Sequence, residues 1–173
     1  MSEDQILDER WNIDFGVAKS MRYHAYRRSF WEMCDYWTKV LTWLSGTAVL
    51  VALIGEHGTW AEVFAFIVAF VSAADIILGF SAKTKQHNVL YREFCLLGQE
   101  IAETLTPTAE QVAKWRRRRL EIEMDEPGPI DWLERRCSFE EAKARGVTPR
   151  DSWILPTWKV LLSQFAFWPS SSH

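Results

Sequence analysis

Between residues 36 and 80 the chain carries two long apolar runs joined by the polar turn Gly55-Glu56-His57-Gly58-Thr59. The first run, residues 36–54, holds a single charged side chain, Lys39; the second, residues 60–80, holds Glu62 at its start and Asp75 toward its end. Each approaches the roughly 20 residues a helix needs to cross a hydrocarbon core. The pattern predicts a transmembrane helical hairpin. Two helices buried in a large soluble core are the competing reading, because the charge-free stretches are only about 12–16 residues long. The flanking aromatics favour the membrane: Tyr36 and Trp37 border the first run, Trp60 and Phe80 the second, and the turn lacks Lys and Arg. Lys19, Arg22, Arg27 and Arg28 precede the hairpin and Lys83, Lys85 and Arg92 follow it. That bias places both termini in the cytoplasm.

The flanks read as further helices. Residues 1–16 show no sustained period. From about Val17 onward Tyr23, Tyr26, Phe30, Met33 and Trp37 recur on one helical stripe, and no Gly or Pro interrupts the pattern before Gly46. After Phe80, Leu90, Phe94, Leu97, Ile101 and Leu105 follow the three-four repeat of a helix-on-helix seam. The two extensions are expected to pair as a stalk. Thr106-Pro107 reads as the start of a helix carrying Val112, Trp115 and Ile122, which Pro127-Gly128-Pro129 ends. Ser138-Phe139-Glu140-Glu141 reads as a capped first turn and Gly146 as its stop. Trp158, Leu161, Leu162, Phe165 and Trp168 share a last helical face, suited to packing on the stalk or lying on the bilayer surface. The expectation is an all-α protein in four segments: a pre-membrane helix (1–35), the hairpin (36–80), a stalk helix (81–105) and a cytoplasmic cap (106–173).

Composition changes this picture little. The mean hydropathy of -0.16 averages an apolar hairpin with flanks that hold nearly all of the 25% charged residues. The net charge of -3 hides a basic run followed directly by an acidic one. Cys34, Cys95 and Cys137 match neither a disulfide framework nor a zinc site, so free thiols are expected. The first apolar run follows a long polar stretch without a small-residue cleavage site and is expected to remain in the mature protein.

Candidate chemistry sits in two places. In the hairpin, Ala61, Ala65, Ala69 and Ala73 form a small-residue ridge that lets helices approach closely; packing within one hairpin is one reading of it and a functional face the other. Ser72, Asp75 and Gly79 align on the second helix, and Thr38, Thr42, Ser45 and Ala52 on the first. Lys39 and Asp75 fall at similar depth, either as an ion pair that fixes register or as charges beside a pore. Lys39, Thr42, Ser45, Ser72 and Asp75 are therefore the candidate intramembrane residues. Two helices cannot enclose a path, so conduction requires several copies around an axis. The second place is Lys114-Trp115-Arg116-Arg117-Arg118-Arg119. It is either a solvated face salt-bridged through Arg117–Glu121 and Arg119–Glu123, or a phosphate site with Trp115 as a stacking face. No metal or cofactor is expected and no enzymatic activity, because His24, His57, His87 and His173 show no ligand spacing and no phosphate loop or nucleophile motif is present. His24 and His87 are expected to face each other or the headgroup zone.

Over residues 17–105 the chain resembles the SLATT family, small bacterial two-transmembrane proteins of nucleotide-linked antiphage systems. The resemblance rests on Arg22 with His24, the run Arg27-Arg28-Ser29-Phe30-Trp31-Glu32, Ser45-Gly46, Lys85-Gln86-His87 and Leu90. It implies a pore-forming effector of the bacterial inner membrane, controlled by a nucleotide or oligonucleotide from a nucleotidyltransferase-type partner, and arresting or killing the cell by depolarisation. A homo-oligomer is expected, with a tetramer as the favoured count. A multiply charged oligonucleotide bridging several copies of the arginine run is the favoured ligand. The rival reading is a membrane-anchored scaffold that recruits a soluble cytoplasmic partner.

Overall fold

The computed structural model describes residues 2–55 and 58–164. Every regular element among them is helical: α1 (Glu3–Ile54), α2 (Gly58–Leu78), α3 (Phe80–Glu103), α4 (Ala109–Met124), α5 (Asp131–Ala144) and α6 (Thr157–Leu162), with a 3-10 turn at Asp151–Trp153. Glu56 and His57 of the turn, and Phe165, Trp168 and His173 of the tail, lie outside the described residues. The chain divides into two compact units, Met1–Arg27 with His87–His173, and Arg28–Gln86. The first is a helical body that unites most of the expected pre-membrane helix, stalk and cap; the second is the hairpin.

In the body, α1 begins at Glu3, well before Val17. Its buried side holds Ile13, Val17, Ser20, His24 and Arg27 at three-four spacing, facing His87, Leu90, Phe94, Leu97 and Ile101 of α3. Three of the five α1 members are polar, which is why a hydrophobic period could not reveal them. Val112, Trp115 and Ile122 of α4 complete this core. Of the stripe expected on α1, Tyr23 and Tyr26 pack instead with Ile130, Leu133 and Cys137. Met33 and Trp37 are exposed, as is Leu105, which lies beyond the end of α3. Arg10 takes that helix end, donating to the carbonyls of Ile101 at 3.1 Å and Leu105 at 3.2 Å, where a cation suits the dipole.

Two helix starts also differ from expectation. The N-cap of α4 is Thr108, not Thr106: its hydroxyl accepts from the Gln111 amide while the Gln111 side chain accepts from the Thr108 amide. α5 begins at Asp131, so Ser138 lies mid-helix and donates to the Glu134 carbonyl at 3.0 Å. A distant residue marks this start, because the Ile130 N–H donates to the Tyr23 hydroxyl at 3.1 Å. Gly146 does stop α5, at φ 69°, with the Val147 N–H returning to the Ala142 carbonyl at 2.9 Å.

The hairpin unit follows the opposite rule of burial. Trp43, Leu50, Ile54, Phe66, Phe70 and Ile76 are exposed, whereas Ser45, Ala52 and Ala61 are buried. The apolar windows of its two long helices are only 11% and 6% buried, where the core helix of a soluble protein would be mostly enclosed. Two helices are therefore long and apolar enough to cross a membrane, and they present that surface outward. The second is interrupted at Gly79, whose φ of 60° separates α2 from α3. Hydrogen bonds flank the break, from Gly79 N–H to Asp75 at 2.8 Å and from Lys83 N–H to the Gly79 carbonyl at 3.0 Å. Beside it Trp31 stacks on Phe80 at 5.8 Å, with the Lys83 ammonium 4.4 Å over the Trp31 ring.

Candidate functional site

α4 carries the basic run, and its amphipathic pattern decides where each member points. Trp115 shares the inner face with Val112 and Ile122 and is only 1% exposed, so its ring is core and offers no open stacking face. The cations around it are matched to carboxylates. Lys114 pairs with Glu100 at 2.9 Å, the Arg116 Nε donates to Glu9 at 2.7 Å, Arg118 pairs with Glu93 and, at 3.7 Å, with Glu121, and Arg119 pairs with Glu123 at 2.7 Å. The expected Arg119–Glu123 pair forms; Glu121 goes to Arg118 rather than Arg117. The Lys114 ammonium and the Glu100 carboxylate bond directly, which lowers the Glu100 pKa below the ordinary carboxylate value. Arg117 is exposed and has no ion-pair partner among the described residues.

Of the run, Arg119 lines a cleft among the described residues. This cavity of about 440 Å³ is walled by α1 through Asn12, Phe15, Gly16 and Lys19, by α5 through Asp131, Glu134, Arg135 and Ser138, and by Ser152 and Trp153. The Arg119 guanidinium lies directly on Gly16, where any Cβ would overlap it. Phe15 stacks between Trp11 and Trp153, at 5.2 and 6.0 Å. Carboxylates already balance the other cations of the wall: Lys19 meets Glu134 at 2.7 Å and Arg135 meets Asp131 at 3.0 Å. The cleft therefore combines three exchangeable cations, two acids and a short ring stack. Sequence reasoning missed it. Asn12, Phe15, Gly16 and Lys19 lie at helical spacing, but in a stretch with no hydrophobic period, and the other walls come from distant segments.

A buried acid also ties α5 to α1. Glu141 accepts from Arg22 at 2.7 Å and from Arg145 at 2.7 Å, and Arg145 also reaches Asp14 at 2.8 Å. Burial pushes the Glu141 carboxyl up, yet the hydrogen bonds from Arg145 and Arg22 take it below its ordinary value. The thiol of Cys137, on the same helix, is pushed up to about 12 by burial. Cys34, Cys95 and Cys137 form no disulfide among the described residues.

In the hairpin, Ser45 is buried and Thr42, Ser72 and Asp75 are half-buried, so these four lie on the shielded side of their helices, whereas Lys39 is exposed. Lys39 does not pair with Asp75: its ammonium meets Asp35, one turn back on α1, at 2.6 Å. A neighbour on the same helix is within reach whatever the packing across the hairpin, which explains the choice. The Asp75 carboxylate makes no hydrogen bond or ion pair with another described residue. The alanine ridge also departs from expectation. Ala61 is buried, but Ala65, Ala69 and Ala73 are exposed among the described residues.

The last cluster joins two positions that carry the family resemblance. His24 and His87 meet in the body with Nδ1 atoms 3.0 Å apart, and His24 Nε2 lies 2.9 Å from Glu126 Oε1. Among the described residues no group of three or more His, Cys, Asp or Glu is arranged to hold a metal ion. No family model, curated protein or solved structure matches the chain.

Proposed function

We propose that the chain is a pore-forming membrane effector, active as a homo-oligomer and controlled by a nucleotide or oligonucleotide from a nucleotidyltransferase-type partner. The observation that carries this reading is the inverted hairpin, with large apolar side chains outside and Ser45, Thr42, Ser72 and Asp75 shielded. Lipid is the solvent that accepts such a surface, and an intramembrane carboxylate with no partner among the described residues calls for water or a neighbouring copy. The outward Ala65, Ala69 and Ala73 give that neighbour a surface of close approach. The SLATT resemblance supplies the bacterial inner membrane, antiphage defence and death by depolarisation.

The cleft supports the regulated half of the proposal. Its volume of about 440 Å³ lies in the range of small-molecule sites and suits one nucleotide unit. Arg119, Arg135 and Lys19 offer phosphate donors, and a phosphate, carrying more charge than a carboxylate, competes for them with Glu123, Asp131 and Glu134. Flux measurements on purified protein in liposomes test both halves. Nucleotide-dependent leakage is expected, lost in Ser72→Leu and Asp75→Leu; Lys19→Glu is expected to lose the ligand response while still inserting. Liposomes that stay tight with every nucleotide would remove the channel and leave the membrane-anchored scaffold.

A further inference from the structure

The helical body buries two imidazoles, His24 with no exposed surface and His87 with 3%. Neither ring is free to turn away. His24 lies flat against Phe94 at 5.6 Å, with Tyr23 edge-on at 5.3 Å, and the two imidazole centroids are 5.2 Å apart. Their Nδ1 atoms, 3.0 Å apart, are at hydrogen-bond distance, so one donates, the other accepts, and the contact holds one proton.

Counting protons gives the behaviour of the cluster. With both rings neutral, His87 Nδ1–H donates to His24 Nδ1, and His24 Nε2–H donates to the Glu126 carboxylate. One added proton is accommodated: His24 becomes imidazolium and donates from both nitrogens, His87 accepts in its other tautomer, and Glu126 balances the charge. A second proton is not. It would set N–H against N–H at this distance and bury two adjacent cations.

We propose that His24 and His87 form an acid-released latch between α1 and α3, closed while the pair holds at most one added proton and opened by the second. The sign follows from linkage: the closed pair binds one extra proton and the separated rings two, so falling pH favours separation. The charged neighbours act in opposite directions. Glu126, after α4, stabilises the first charge; buried Arg27, one turn along α1, opposes both. Tyr23 on α1 and Cys137 on α5, both pushed up by burial, stay neutral in the range where histidine titrates. In the chain, His24 and His87 are the last turn and the first residue of the body on either side of residues 28–86, so the latch sits where both connections to the hairpin begin.

Hydrogen exchange of the full chain in lipid nanodiscs tests the latch, with rates corrected for the intrinsic pH dependence. Protection of residues 20–27 and 87–94 is expected to fall by about tenfold or more between roughly pH 7.5 and 5, the interval that brackets histidine titration. Residues 132–142 of α5 should keep theirs. His87→Gln should remove the step, and Glu126→Gln, which withdraws the carboxylate that stabilises the closed, singly protonated pair, should move it to higher pH. The Glu126 variant keeps the test decisive if His87→Gln does not fold. Flat protection in the native chain, an unmoved step in Glu126→Gln, or simultaneous loss across α5 would overturn the proposal.

Discussion

α1 is one helix that obeys two rules of burial. Along its body half, Ile13 and Val17 are enclosed and charged side chains such as Glu9 and Arg22 remain partly exposed in ion pairs; along its hairpin half, Trp43, Leu50 and Ile54 stand outside while Ser45 and Ala52 are enclosed. Helical propensity does not distinguish the halves. What changes is the medium that the sequence anticipates. Water drives apolar surface inward, whereas hydrocarbon removes that drive and leaves polar groups and small residues to seek the helix interface.

Two tryptophans turn this contrast into the largest expected effect. Trp115 is 1% exposed in the core of the body, and Trp43 is 70% exposed on the hairpin. Trp115→Ala is expected to destabilise the body by about 3–5 kcal/mol, as large-to-small core substitutions do. Trp43→Ala should leave the body's unfolding transition unchanged, because lipid or detergent fills the space. Thermal unfolding of the detergent-solubilised chain checks both. A mild effect of Trp115→Ala with selective loss of ligand response would return that ring to the ligand site.

The reciprocal substitution adds an acid. Phe66→Asp on the hairpin surface should hinder insertion by about 3 kcal/mol on translocon scales, whereas Leu96→Asp, exposed on α3 of the body, should change stability by less than about 0.5 kcal/mol. Membrane-fraction yield and protease accessibility read the first, unfolding the second. If both acids are tolerated equally, the hairpin surface faces water or another protein.

What could be read along the chain followed from how local each signal was. The hairpin was legible because its apolar runs are continuous, and the α3 seam because Leu90, Phe94, Leu97 and Ile101 are all apolar. The α1 seam was hidden by Ser20, His24 and Arg27, whose burial depends on partners far along the chain. The start of α5 was hidden for the same reason, since Tyr23 rather than a neighbouring residue accepts from Ile130. Of the predicted ligand residues, Arg119 reaches the cleft because Gly16 makes room for it, and Trp115 does not because the apolar face of α4 claims it. The pairing of Lys39 was misjudged for want of one nearer carboxylate, Asp35.

A smaller effect separates buried from exposed charge within the body. Glu141 binds Arg22 and Arg145 from a site almost closed to solvent. Glu141→Gln is expected to destabilise by about 1–3 kcal/mol at neutral pH, the range for losing charged hydrogen bonds at a buried group. The carboxyl is held below its ordinary value in the folded state, so its contribution is complete above about pH 4.3, the unfolded value, and is lost as pH falls through the folded one. The native chain should therefore lose stability on acidification below that point, and the variant should lose less. Parallel acid limbs in the two proteins would assign acid sensitivity to other carboxylates.

The smallest expected effect concerns two ion pairs that look alike and should behave differently. Arg116–Glu9 lies on the exposed surface of the body, and Lys39–Asp35 lies at the start of the hairpin's apolar run. A double-mutant cycle on Arg116 and Glu9 should give a coupling of about 0–1 kcal/mol that fades in roughly 0.5 M salt, because exposed pairs are weak and screened. Lys39 and Asp35 bond along one helix, so geometry alone gives them no advantage. If lipid headgroups or hydrocarbon surround that turn, however, salt ions cannot reach it freely and the coupling should persist at high salt. Equal salt sensitivity of the two cycles would place the water boundary beyond Lys39 and shorten the apolar span of α1 accordingly; a persistent Lys39–Asp35 coupling would place the change of medium before that turn.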